Sequence, residues 1–298
     1  MDAEFELLIE CARPNPDPRR LMEALRGPVK WPALLERAEE HGLPGPVALR
    51  LRKFDKEGVP PEILEQLRER QRAQALFTLR LTAELFRLFE SFAAAGLDAL
   101  VIKGPVLSVR CYGDPGARQY GDLDLIVRDK DILRSIKVMT DLGYEARISR
   151  AAIQAKKVPG EYAFRHSATK LLVEFHTEAT FRYHPRPLPV EKLFQRRVHV
   201  RIDSHEIPAL APEDELILIC IHGAKHLWER LIYTADLAAL ISRQELDWDR
   251  VNAAAAEVAA QRMLHVGLRL AAEVLGATLP ATVAAAVRSD AAVEGLVK

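Results

Sequence analysis

The fold is decided by one short stretch, Arg118-Gln119-Tyr120-Gly121-Asp122-Leu123-Asp124-Leu125-Ile126-Val127. Its second half predicts a buried β-strand over Leu123–Val127. Alternate side chains of a strand share a face, so Asp122 and Asp124 would project together. Two neighbouring carboxylates repel each other unless a cation lies between them, and oxygen ligands suit a hard ion such as Mg²⁺. Because an Asp-x-Asp pair is common, two surface aspartates at a solvated strand edge are an equally good interpretation of this stretch alone.

A second strand further along the chain carries side chains of the same chemistry. Tyr162–His166 and Leu171–His176 flank a short polar turn and predict a β-hairpin. In the second of these strands, Glu174 and His176 share one face. If this strand pairs beside the Asp122 strand, Glu174 becomes a third carboxylate, and three carboxylates could hold two Mg²⁺ ions and position an in-line attack on phosphorus. The alternative is that Glu174 and His176 are exposed edge residues.

A candidate phosphate site precedes the aspartates. The apolar run Ala99–Ile102 predicts a short buried strand, and Lys103-Gly104-Pro105 then begins a helix that ends at Gly113. Free backbone N–H groups at a helix start attract anions, a glycine lets the backbone approach closely, and Lys103 adds a positive charge. We therefore expect Lys103 and Gly104 to contact the phosphates of a nucleotide. The alternative is that Gly104 only caps the helix.

Helical patterns surround this strand-rich centre. Residues 1–70 predict short helices separated by turns, and Glu62–Ala95 predicts one long helix. Further predicted elements are a helix over Asp129–Leu142, strands at 144–149 and 198–208, and helices over Glu213–Arg230, Leu231–Ser242, Val251–Leu275 and from Pro280 onward. This order predicts an α+β fold in three parts: an N-terminal helical region (1–70), a core with the sheet (71–210) and a C-terminal helical domain (211–298).

Composition narrows the classes of function. The chain has 298 residues, with 42 basic and 42 acidic side chains, so it lacks the overall positive charge of a protein that holds duplex DNA. No apolar run approaches the roughly 20 residues that span a bilayer. The first residues are acidic where a secretory signal would be basic. Three cysteines lie far apart, at Cys11, Cys111 and Cys220. These features predict a cytoplasmic protein with no membrane partner.

Two histidines on a predicted helix are spaced so that they could bind a metal ion together. His222 and His226 are four residues apart and face the same way. No His-Glu-x-x-His pattern and no third ligand accompany them, so a polar helix facing a cleft is favoured over a dedicated zinc site. The aromatic residues nearby, Trp228, Tyr233 and Trp248, are interpreted as packing residues rather than as partners of a nucleobase.

In this combination and order, the motifs resemble the nucleotidyltransferases of the DNA polymerase β superfamily, and most of all the bacterial nucleotidyltransferase family 5. The resemblance covers roughly residues 70–280. It rests on the following stretches: Ile102-Lys103-Gly104, Tyr112-Gly113-Asp114-Pro115, Arg118, Gly121–Val127, Glu174-Phe175-His176, His222, His226, Asp236 and Asp247-Trp248-Asp249.

The resemblance implies a polymerase-β-like nucleotidyltransferase core, a small mixed sheet with flanking helices. It also implies Mg²⁺-dependent transfer of a nucleoside monophosphate from an NTP to an acceptor hydroxyl, with release of pyrophosphate. The acceptor would be a small molecule, a protein side chain or an RNA end. The implied catalytic and metal-binding residues are Asp122, Asp124 and Glu174, holding two Mg²⁺ ions. The implied nucleotide-binding residues are Lys103, Gly104, Arg118 and Lys225, with His176, His222 and His226 facing the cleft.

The sequence departs from the superfamily pattern at one motif, and this departure supports a second possible function. Better known members of the superfamily have Gly-Ser where this chain has Lys103-Gly104. The alternative is therefore a catalytically silent nucleotide-binding or protein-interaction module that retains the fold. From the sequence, we expect the substitution Asp124→Asn to leave folding intact or to strengthen it, because it relieves the repulsion from Asp122.

Overall fold

The computed structural model describes residues 2–54, 58–155, 160–177 and 186–297. Short helices make up the N-terminal part, as the turn pattern predicted. They are α1 (Ala3–Ala12), α2 (Pro18–Arg26), α3 (Trp31–Glu40) and α4 (Pro44–Leu51), and they are followed by the long helix α5 (Pro61–Ala94). Proline occupies the first or second position of four of these five helices, where its missing N–H costs no hydrogen bond. Among the described residues, no helix is long and apolar enough to cross a membrane.

A seven-stranded mixed sheet forms the centre of the molecule. Its strands lie in the order β3-β4-β5-β2-β1-β7-β6. The strands are β1 (Leu100–Val101), β2 (Asp122–Ile126), β3 (Tyr144–Ala146), β4 (Glu161–His166), β5 (Leu172–His176), β6 (Val198–Ile202) and β7 (His205–Ala209). The helices between them are α6 (Gly104–Tyr112), α7 (Ile132–Asp141), α8 (Arg150–Gln154) and α9 (Val190–Arg196). The predicted hairpin is confirmed as β4 and β5, and the predicted strand pair near the end of the sheet as β6 and β7.

The two faces of β2 have different surroundings. Leu123 and Leu125 are fully buried against the long helix α5, in a core that also holds Val173 and Phe175 of β5. On the opposite face, Ile126 packs in a smaller cluster with α9. Asp122 and Asp124 share that second face but lie nearer the start of the strand, beyond the cover that α9 provides. The alternation of β2 therefore buries one set of side chains and directs the aspartates into a cleft.

Helices follow the sheet, as predicted, but two predicted boundaries were wrong. The helices are α10 (Pro212–Lys225), α11 (Leu231–Arg243), α12 (Trp248–Glu257), α13 (Gln261–Leu275), α14 (Ala281–Ser289) and α15 (Ala291–Val297). The helix predicted to reach Arg230 ends at Lys225, because Leu227 and Trp228 take left-handed backbone conformations. The stretch predicted as one helix over Val251–Leu275 is α12 and α13, separated where Ala259 has a φ of 56°.

The N-terminal and C-terminal helices share one hydrophobic core. Its buried side chains lie between positions 7 and 67 and between positions 216 and 287, with Leu107 and Cys111 of α6. We refer to it as the helical core. The sheet and helices α5 and α7 enclose a second cluster of buried residues. The chain thus leaves the helical core, builds the sheet, and returns to complete the helical core.

Gly45 of α4 packs closely against Ala117 in the segment that precedes β2. A Cβ atom at this position would lie 2.2 Å from the backbone oxygen of Ala117. We expect Gly45→Ala to lower the free energy of unfolding by about 1–3 kcal/mol, the usual cost of overpacking, in urea denaturation. Gly295→Ala is the matched control, because a Cβ there meets nothing within 4 Å inside a helix. Equal stability of the two variants would contradict the close contact.

Candidate active site

A cleft of about 420 Å³ lies where the sheet, the start of α6 and the α10–α11 pair meet. Every site residue predicted from the sequence lines it. They are Lys103, Gly104, Arg118, Asp122, Asp124, Glu174, His176, His222, Lys225 and His226. Residues that are separated by more than 120 positions in the chain are thus brought to one surface.

The carboxylates meet because β2 and β5 are parallel neighbours. In the register of this pair, Asp124 lies opposite Glu174, and Ile126 lies opposite His176. The His176 Nε2 atom is 2.7 Å from Oδ1 of Asp124. Donor atoms of Asp124, Glu174 and His176 all lie within 4.8 Å of one another. Among the residues that the structure describes, these three form a group that could hold a metal ion, and it contains His176 where the sequence had suggested Asp122.

The aspartates of β2 differ in their surroundings. Burial alone would raise the pKa of Asp124, but the nearby Lys103 ammonium and the hydrogen bond with His176 outweigh it, so the pKa lies well below its ordinary value. The Nζ atom of Lys103 is 3.6 Å from Oδ2 of Asp124. Burial and then the charge of Asp124 raise the pKa of Asp122. Burial raises the pKa of Glu174 too, with further contributions from Asp124 and Asp122.

The turn between β1 and α6 has the features of an anion site. Gly104 has a φ of 62°, a conformation that side chains with a Cβ rarely adopt, which explains why glycine stands there. Among the described residues, no side chain makes a capping hydrogen bond at the N-terminus of α6. Pro105, the second residue of the helix, has no N–H, so the backbone N–H of Gly104, which lines the cleft, is the one that lies next to the Lys103 side chain.

Arg118 lines the cleft, and a buried ion pair with Asp236 holds its side chain in place. Its Nε atom donates to Oδ2 of Asp236 at 2.7 Å, and the hydroxyl of Tyr112 donates to the other carboxylate oxygen at 2.9 Å. Burial disfavours the charge of Arg118, but Asp236 outweighs it and raises the arginine pKa. The backbone N–H of Arg118 also donates to the Ser108 hydroxyl. Helix α11 thus fixes an arginine that the segment before β2 supplies.

One protein family matches most of the chain. The family model for uncharacterised nucleotidyltransferases matches residues 27–276. The chain belongs to this nucleotidyltransferase family. No curated protein matches it. The crystal structure of an antigenic nucleotidyltransferase-like protein from Paracoccidioides brasiliensis is similar at 16% identity over 70% of this chain and 94% of that chain, with a TM-score of 0.38.

The family assignment confirms the resemblance and extends it. The match begins at residue 27, well before the position near 70 at which the sequence motifs become recognisable. Gly42 of the turn between α3 and α4 lines the cleft, and the backbone oxygen of His41 accepts a hydrogen bond from Ile232 at the start of α11. In this chain, the turn between α3 and α4 therefore contributes part of the cleft wall.

Two residues of the cleft carried no clear signal in the sequence. Tyr233 packs in the helical core, as predicted, and it also lines the cleft and contacts His222 and His226. Glu161 of β4 also lines the cleft, and its carboxylate is 3.9 Å from Nζ of Lys225. Only the hairpin register, which places Glu161 opposite His176, could have indicated its position.

Proposed function

We propose that this protein is a Mg²⁺-dependent nucleotidyltransferase that moves a nucleoside monophosphate from an NTP to an acceptor hydroxyl. The acceptor oxygen bonds to the α-phosphorus, the bond from that phosphorus to the bridging oxygen breaks, and pyrophosphate leaves. The hydroxyl proton passes to a carboxylate of the site. The acceptor is a small molecule, a protein side chain or an RNA end, and the proposed location is the cytoplasm.

One observation carries this proposal. Three carboxylates, Asp122, Asp124 and Glu174, face the same cleft as the uncapped start of α6 and the Lys103 ammonium. Acids that could hold cations thus lie beside groups that attract phosphate oxygens. Such an arrangement suits the transfer of a phosphorus-containing group, which depends mainly on positioning and on charge stabilisation.

The side chains present fit magnesium. The three carboxylates are hard oxygen donors, and burial together with their mutual repulsion raises the pKa of both Asp122 and Glu174, a cost that a divalent cation would relieve. Asp122, Asp124 and Glu174 would hold two ions. Bound Mg²⁺ supplies charge neutralisation on the phosphate oxygens and a template for in-line attack.

The remaining roles follow from position. Glu174, whose carboxylate has a raised pKa, accepts the proton of the acceptor hydroxyl. Lys103 and the backbone at Gly104 bind the β and γ phosphates. Arg118, held by Asp236, and Lys225, at the end of α10, add positive charge from the helical side of the cleft. Formation of radiolabelled acceptor and of pyrophosphate, in cell extract with purified protein and labelled NTP, tests this reaction.

Metal dependence of nucleotide binding gives a second test. We expect Mg²⁺ with ATP to stabilise the fold much more than ATP in EDTA, because the carboxylates repel phosphates in the absence of the cation. A ligand present at about a hundred times its dissociation constant adds ~2.7 kcal/mol of stability. Thermal unfolding and titration calorimetry measure the effect. Equal ATP affinity with Mg²⁺ and with EDTA would show that the carboxylates hold no nucleotide-bridging metal.

The alternative, a catalytically silent module with the same fold, also has an observation in its favour. Both carboxylate oxygens of Asp124 have partners in the protein itself, His176 and Lys103. A silent module would bind nucleotide without releasing pyrophosphate. Nucleotide binding that is unaffected by Asp124→Asn, together with an absence of turnover, would support this alternative over the enzyme.

A further inference from the structure

The turn between α10 and α11 builds a cluster of three rings at the cleft. Leu227 and Trp228 have φ values of 51° and 53°, and these two consecutive left-handed residues reverse the chain. The indole of Trp228 then lies over Gly223 and Gly267, where an added Cβ would be 2.7 and 2.8 Å from the ring. The absence of side chains at both glycines leaves room for the indole, which packs the turn against α10 and α13.

His222, His226 and Tyr233 touch one another as a result. The centroids of the two imidazoles are 4.7 Å apart. Tyr233 meets His222 edge-on at 5.1 Å, and it lies nearly parallel to His226 at 5.7 Å, with 28° between the ring planes. Tyr233 is buried, whereas His226 keeps 35% of its side chain exposed. His226 is thus the ring of the cluster that reaches furthest into solvent, and Tyr233 supports it from behind.

The two imidazoles of the cluster are uncharged, which favours contact with a neutral planar group over contact with a phosphate. Burial lowers the pKa of His222 to about 2, with Lys103 contributing next, and burial followed by the charge of Lys225 lowers the pKa of His226. Both imidazoles are therefore neutral near pH 7. Neutral rings attract phosphate less than the ammonium groups of Lys103 and Lys225 do, but the exposed part of His226 offers ring surface for stacking.

We propose that His226, backed by Tyr233 and His222, is the platform on which the nucleobase of the bound nucleotide stacks. This inference rests on the proposed function, since it supposes that the phosphates lie at Lys103 and Gly104 across the same cleft. A stacking platform tolerates every base, because each base has a π-face. Purines offer the larger face, so we expect ATP and GTP to bind more tightly than CTP and UTP.

Calorimetric titration of MgATP and of magnesium tripolyphosphate, a probe that has no base, tests the platform. We expect His226→Ala to weaken MgATP binding between about five- and a hundredfold, the range for loss of one base–aromatic stack. His226→Phe, which keeps a ring but no ring nitrogen, should stay within about threefold of the wild type. Tripolyphosphate affinity should be the same in all three proteins. Leu227→Ala, at the neighbouring side chain that is 87% exposed, is the matched control.

These measurements distinguish a failure of the stacking role of His226 from a failure of the proposed function. If His226→Phe loses as much MgATP affinity as His226→Ala, the histidine acts through its nitrogen atoms and the stacking role is wrong. If His226→Ala binds MgATP like the wild type, or if tripolyphosphate binds as tightly as MgATP, the platform is wrong while the phosphate site stands. If neither probe binds the wild type, the proposed function fails and the platform fails with it.

Discussion

Replacing Asp124 with asparagine should lower nucleotidyl transfer by roughly a hundred- to a thousandfold, a loss typical of removing one preorganised electrostatic group from an active site. The asparagine keeps the shape of the side chain but cannot supply a negative oxygen to a cation. Pyrophosphate release at saturating MgATP measures the change. Asp98→Asn is the control, because Asp98 is a surface carboxylate that pairs with Arg128 outside the cleft. Turnover within a few-fold of the wild type would remove Asp124 from the catalytic site.

The same substitution should destabilise the protein, in contrast to the expectation from the sequence. The ionised Asp124 is favoured in the fold by Lys103 and His176, and hydrogen bonds to charged groups contribute roughly 1.5–3 kcal/mol. Asp122→Asn should instead leave stability unchanged or raise it, because the raised pKa of Asp122 shows that its charge is disfavoured. Urea denaturation of both variants without metal distinguishes them, and the opposite order of stability would contradict the electrostatics described above.

The stability difference between the wild type and Asp124→Asn should depend on pH in the acid range. Asp124 has a folded-state pKa below its ordinary value of 3.8, so its contribution to stability is present above that value. The contribution is lost as the pH falls from about 3.8 through the lowered pKa. The stability gap between the wild type and Asp124→Asn should therefore be full at neutral pH and should narrow in acid.

Asp236→Leu should cost about 3–5 kcal/mol of stability, since it leaves the buried guanidinium of Arg118 without its counter-charge. Chemical denaturation measures this loss. The double variant Arg118→Met/Asp236→Leu should recover most of the stability, because an apolar pair can replace a buried ion pair at little cost. It should not recover nucleotide binding, in which we propose a role for Arg118. A loss below about 1 kcal/mol in the single variant would mean that solvent reaches the pair.

Alternation along two strands was enough to predict the acidic side of the cleft. Asp122, Asp124 and Glu174 were assigned to shared faces from periodicity, and the pairing of β2 with β5 confirms that Glu174 lies beside Asp124. The contacts of Asp124 with His176 and Lys103 could not be predicted from the alternation of side chains along a strand. His176 and Lys103 come to the carboxylate from another strand and from a turn, so their distances depend on sheet order and register, which a single sequence does not encode locally.

The helical side of the cleft was harder to predict for a different reason. The periodicity predicted that α10 and α11 exist. It also predicted helix across Leu227 and Trp228, because the left-handed conformation that these two residues adopt is unusual for such side chains. The reversal at this point places Tyr233 beside His222 and His226. The contribution of Gly42 was likewise hidden, because it depends on contacts between helices that lie about 190 residues apart in the chain.

The shared helical core has a consequence for synthesis. Buried side chains between positions 7 and 67 find their partners between positions 216 and 287, whereas the cluster around the sheet needs only residues 81–209. On the ribosome, the sheet can therefore fold while the first four helices still expose apolar surface. Contacts across such a large sequence separation form slowly, and unfinished cores aggregate. We expect the nascent chain to depend on chaperones until α10–α13 have emerged, and a fragment that stops near residue 210 to keep its sheet but to be poorly soluble.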